Sequence, residues 1–317
     1  MKRALPFCLT LLLLLVFFPL SGQESLKPFV FTPQWTPQAQ FAGYYAALEK
    51  GFYREEGLDV KIVHPSSTSS AMDRIIGNQS DATTLQLAQA LELVDSGIEL
   101  VHILQTSMNN GLVLVSRTDV SPLTLTGARV ATWRAGFAQI AECMSAELNL
   151  EYEWIQAAEI INLYVVGAVD ATLAMSYNEY YQLLQTDLIP SENSVYRFSE
   201  HGFNIQEDGI YMSRSAYRKD PDRAQRFARA SRRGWEWVRD NPEEALDIVM
   251  THVKRGNMAT NRILQKKMLD EVLRLQLDQK SGRPEFRLVP AMVDQASDLM
   301  YRNGMLKRPI KIEEILP

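Results

Sequence analysis

From residue 27 onward the chain alternates short β-rich runs with helical patterns, and it does so twice. In the first stretch, 27–32, 58–63, 81–84 and 99–105 read as strands, while 38–50, 71–76 and 86–96 read as helices. Gly51 and Gly97 follow two of those helices as C-terminal caps. The alternation implies a parallel-type sheet flanked by helices.

The rhythm then changes. Residues 111–116 form an apolar strand directly after the polar run 106–110, and a new unit starts after Pro122. Its expected strands are 127–132, 152–155 and 171–175, and its expected helices 137–148, 157–166 and 179–186. Residues 209–213 read as a strand suited to cross back to the first unit. Beyond Asp220 nearly everything is helical, with Asp220-Pro221 and Asn241-Pro242 as helix starts. The expectation is an α/β chain of two lobes: 27–115 plus 210–317, and 117–207. Two crossing strands, near 111–117 and 208–213, would join them.

The first residues carry a different signal. Lys2 and Arg3 precede an apolar run, 9–18, interrupted only by Thr10, and Leu20-Ser21-Gly22 follows. A basic start, a short apolar stretch and a small-residue exit form a secretory signal peptide, here 1–22. The run is short of the roughly 20 residues a membrane span needs. Gln23 stands where a lipoprotein would carry its cysteine, so the expectation is a soluble protein exported to the periplasm. Removing the leader takes Cys8 with it. Cys143 is left alone in a helical pattern, as a packing thiol with no disulfide partner.

Composition narrows the chemistry. With 46% apolar and 22% charged residues the chain is globular, and a net charge of −5 argues against nucleic acid as a partner. There is no G-x-G-x-x-G after a strand, no phosphate loop, no H-E-x-x-H, no G-x-S-x-G and no C-x-x-C. The four histidines lie apart, without metal-ligand spacing. No catalytic residue, cofactor or metal is therefore expected. The arginines of 223–239 share a helix with an apolar face and suit a solvated surface better than an acidic partner.

Three stretches suit a ligand instead. Gln34, Trp35, Gln38 and Tyr44 follow the first strand at its C-terminal end, where open α/β sheets bind ligands. A Trp offers a flat stacking surface and amides can both donate and accept; Tyr44 suits the core equally well. Tyr177, Asn178 and Glu179 sit at a strand-to-helix junction, where Tyr177 could stack and its neighbours hydrogen-bond. Asn178 could equally cap the helix. Trp133, Arg134 and Gly136 form a third loop opening a helix, suited to an anion or carbonyl. Ser67, Thr83, Thr84 and Asn109 are expected to line the same cleft.

The runs Trp35-x-Pro37-Gln38-Ala39-Gln40-x-Ala42-Gly43 and Gly51-Phe52-Tyr53-x-Glu55-Glu56-Gly57-Leu58-Asp59-Val60 resemble the thiamine-pyrimidine-synthase-like branch of type II periplasmic binding proteins. Val169-Asp170-Ala171, Asn178-Glu179 and the two helix starts fit the same pattern, so the resemblance spans nearly the whole chain after the leader. It implies the two-lobed type II fold. It also implies a soluble monomer that captures a small heterocycle, a thiamine pyrimidine precursor, for an ABC permease in the inner membrane. Two other roles fit the same resemblance: a module reporting ligand to a signalling kinase, or the family's pyridoxal-phosphate-dependent synthase. In the synthases, positions matching Leu85 and Gln89 carry the cofactor lysine and a donor histidine, and a cysteine-rich stretch precedes the return strand. This chain has none of the three.

Overall fold

A computed structural model describes residues 25–134 and 136–317. The expected leader, 1–22, lies outside the described residues. Among the described residues, ten strands make two sheets: β1 (Lys27–Thr32), β2 (Leu58–Ile62), β3 (Ala82–Leu85), β4 (Leu100–Gln105), β5 (Leu112–Ser116), β6 (Arg129–Trp133), β7 (Glu153–Ala157), β8 (Ala171–Met175), β9 (Val195–Arg197) and β10 (Gly209–Ser213). The first sheet runs β2-β1-β3-β10-β4 and the second β7-β6-β8-β5-β9. In each, one strand is antiparallel to both neighbours: β10 in the first, β5 in the second. Both arrive from the other lobe. A strand entering a parallel sheet from outside its own βα units needs no right-handed crossover, so it can insert against the local direction.

Leu112–Ser116 was expected at the end of the first lobe. It pairs with β8 and β9 instead, so the first crossing falls at 106–111 and the second at 204–208. The two crossings lie side by side. The Asp208 carbonyl accepts the amides of Thr106 and Ser107 at 2.9 and 3.1 Å. The Asn110 amide donates to Asn204 Oδ1 at 2.8 Å.

The 20-residue helix Pro221–Asp240 anchors the first lobe. Phe227 stacks on Phe29 and Tyr53 at 4.3 and 5.1 Å. Gly234 lies against Gly43 of helix Ala42–Glu49: a Cβ on Gly234 would come within 2.1 Å of the Gly43 carbonyl. The arginine face of the same helix is spent within the chain. Arg223 pairs with Asp81, Arg229 with Glu56, and Arg233 with Glu55. Cys143 is buried in helix Gln139–Glu147, its thiol pushed up to about 12 by burial and neighbouring carboxylates.

Candidate functional site

The C-terminal end of β1 leads into the loop 33–38, which is held from two sides. The Gln34 amide donates to Thr84 Oγ1 at 2.8 Å, and His64 Nδ1 meets the Trp35 carbonyl at 2.6 Å. His64 Nε2 lies 2.9 Å from the Tyr45 hydroxyl. Burial lowers the His64 pKa to about 4. The ring is therefore neutral at ordinary pH, with Nδ1 protonated toward the carbonyl and Nε2 accepting from tyrosine.

Across the gap, β6 ends in Trp133 and β8 in Met175, followed by Tyr177, Asn178 and Glu179. Phe137 stands edge-on to Trp35 at 5.6 Å and to Trp133 at 6.2 Å, so a chain of three rings spans the two lobes. These rings and Tyr177 line one cavity together with Gln34, Gln38, Gln40, Gln86, Met175, Asn178 and Glu179. A second cavity of about 320 Å³ opens beside it, sharing Trp35, Gln38, Trp133, Asn178 and Glu179 and extending to Glu159, Gln182 and Thr260.

Glu179 is buried and densely served. Oε1 receives the Trp133 indole at 3.3 Å and the Asn178 amide at 3.1 Å, and Oε2 receives the Met175 backbone at 3.0 Å. Burial raises its pKa while these donors pull it back. Asn178 does not cap the helix with its side chain; it donates to Glu179 and accepts from Gln182. On the first-lobe side Asp208 accepts Gln34 Nε2 and Gln40 Nε2, each at 2.7 Å, and burial raises its pKa to about 6. Among the described residues, no lysine or arginine lines either cavity.

Eight of the expected residues thus meet at the cleft, counting Gly136 through its carbonyl, which accepts Gln89 Nε2 from the other lobe at 3.0 Å. The others are Gln34, Trp35, Gln38, Trp133, Tyr177, Asn178 and Glu179. The other six do not line it. Tyr44 is in the core, between Phe31 and Trp235, because its helix turns that face inward. Thr83 and Thr84 are fully buried in β3; Thr83 donates to the Thr32 carbonyl, and Thr84 supports the Gln34 loop from behind. Asn109 ties the first crossing to the carbonyls of Leu275 and Leu277. Ser67 and Arg134 are exposed and line neither cavity. Expectation overlooked Phe137, Gln86 and Asp208. Phe137 could have been found from its place in the Trp133 loop, and Asp208 from two adjacent acids beside a lobe crossing.

The NMT1/THI5-like family description matches residues 38–245. The chain belongs to this family. Among curated relatives, the formylaminopyrimidine-binding protein of Halalkalibacterium halodurans is 24% identical over 265 residues, covering 80% of this chain and 79% of that protein. The riboflavin-binding protein RibY of Chloroflexus aurantiacus is 20% identical over 312 residues, covering 93% and 86%. Among solved structures, the ligand-binding component of an ABC-type import system from Staphylococcus aureus superposes with a TM-score of 0.68 at 9% identity, covering 92% and 96%. The fold is that of the periplasmic binding proteins.

Proposed function

We propose that the chain is an exported, monomeric solute-binding protein of an ABC importer that captures a small amine-bearing heterocycle, a thiamine pyrimidine precursor, between its lobes. The observation that carries this reading is the ring set Trp35, Phe137, Trp133 and Tyr177 around a buried, hydrogen-bonded carboxylate, Glu179. Flat rings hold a flat ligand, and a carboxylate accepts from its N–H groups. A cleft with carboxylates and no lining cation disfavours an anionic solute such as a sulfonate. The names of the pyrimidine-binding and riboflavin-binding relatives support an aromatic heterocycle.

The protein is a binding protein, not an enzyme. Leu85 is in the core, and Gln89 bonds to Gly136, so neither supplies the lysine or histidine the synthases use. The leader at 1–22 takes it across the inner membrane, where the closed form docks on a permease. Native mass spectrometry of purified protein with an aminopyrimidine, riboflavin and an alkanesulfonate tests the reading. The expected result is a 1:1 complex with the aminopyrimidine. A complex with the sulfonate alone contradicts it, and one with riboflavin alone reassigns the ligand.

A further inference from the structure

Asp208 dictates which way two amides face. An ionised carboxylate can only accept, so Gln34 and Gln40 must both turn their nitrogens toward it, as they do at 2.7 Å each. The relay continues outward: Gln40 Oε1 accepts Gln38 Nε2 at 2.7 Å. Rotating the Gln34 amide by half a turn would set its oxygen against the carboxylate, an arrangement that repels. Gln34 Oε1 is therefore fixed facing away from Asp208. It is buried, since Gln34 is only 7% exposed, and it has no hydrogen-bond donor. Buried acceptors are seldom left this way. Among the described residues, it is the one unpartnered buried side-chain atom belonging to a residue that lines the aromatic cavity.

We infer that Gln34 Oε1 is the acceptor for an amine N–H of the ligand, and that Asp208 is the positioning residue that makes Gln34 read an amine rather than a carbonyl. This rests on the reading of the cleft as a heterocycle site, and it adds the discrimination between amino and oxo forms of one ring. A carbonyl placed there would face the Gln34 oxygen with no proton between them. Discrimination by an unpaired polar group is large compared with discrimination by shape alone.

The test is a calorimetric comparison of matched amino and oxo pairs: a 4-aminopyrimidine with its 4-pyrimidinone, cytosine with uracil, and adenine with hypoxanthine. Wild-type protein should prefer the amino member of every pair it binds, by tenfold or more. In Asp208→Asn the new side chain can give its own N–H to Gln34 Oε1, releasing the amide to turn, so the amino-to-oxo ratio should fall at least tenfold. Circular dichroism melting confirms that the variant is folded; should it not fold, Gln34→Leu reads the same ratio with the same expected loss. Equal weakening of both members, with the ratio kept, overturns the inference, because that is what a merely structural role would give. Amino preference among purines without any pyrimidine binding upholds the inference and removes the pyrimidine reading. Binding of neither member of any pair overturns both.

Discussion

The least comfortable residue in the molecule is Asp208. It sits in the crossing segment with Glu207 beside it, whose pKa is also raised well above the ordinary range, and with the phenols of Tyr44, Tyr177 and Tyr211 within reach of its charge. Its partners are the amides of Gln34 and Gln40, not a cation. A carboxyl whose folded pKa is raised, here to about 6, binds its proton more readily folded than unfolded. Its favourable contribution is therefore present below the ordinary aspartate pKa near 4 and is lost as pH rises through about 6. Asp208→Asn should then melt a few degrees above wild type at pH 7.5, on the order of 1 kcal/mol, and the gain should vanish by pH 4. Melting curves at the two pH values check this, and a variant less stable than wild type at pH 7.5 contradicts it. A site that is stabler without its own charge is held by function.

At the level of elements, the first lobe depends on one close approach. Helix Ala42–Glu49 and helix Pro221–Asp240 touch backbone to backbone because each places a glycine at the crossing. A Cβ on Gly43 would lie 2.2 Å from the Trp235 ring, and one on Gly234 would reach the Gly43 carbonyl. Gly234→Ala should destabilise the protein by at least about 2 kcal/mol, read as a lower urea midpoint with an unchanged slope. A change within experimental error would show that the helices can move apart freely.

Much of this level was legible beforehand. The strand–helix alternation and the caps gave elements close to those found, since periodicity and turn residues act locally. The placement of β5 was not legible: Leu112–Ser116 is apolar on both faces and would suit either sheet, and only its pairing with β8 and β9 decides. The cleft divides in the same way. Trp35, Trp133, Tyr177 and Glu179 follow strand ends, which the chain order reveals. Tyr44, Thr83 and Asn109 have suitable chemistry but point into the core or the crossing, and side-chain direction depends on packing. Asp208 comes from 174 residues away to meet Gln34, beyond the reach of any local pattern.

Over the whole molecule, polar contacts also join the lobes. Gln139 donates to Glu92 at 2.7 Å, Arg302 pairs with Glu147 at 3.2 Å, and Ser176 donates to Glu271 at 2.7 Å. These are polar, partly exposed bridges, individually worth little, so they hold a closed arrangement without locking it. Burial raises Glu92, and burial together with the Glu92 charge raises Glu142. The facing acids thus oppose closure once both are ionised. On the proposed reading, a ligand gripped by rings from both lobes would supply the missing preference, which is how a binding protein turns capture into a change of shape. Trp35 is the first lobe's ring in that grip. The direct measurement is a calorimetric titration of an aminopyrimidine into wild-type and Trp35→Ala protein at pH 7.5. The account predicts saturable 1:1 binding to wild type and at least a tenfold loss in the variant, with melting of the two proteins within a few degrees. Equal affinity of the two proteins, or no saturable binding to wild type by any aromatic heterocycle, would contradict it.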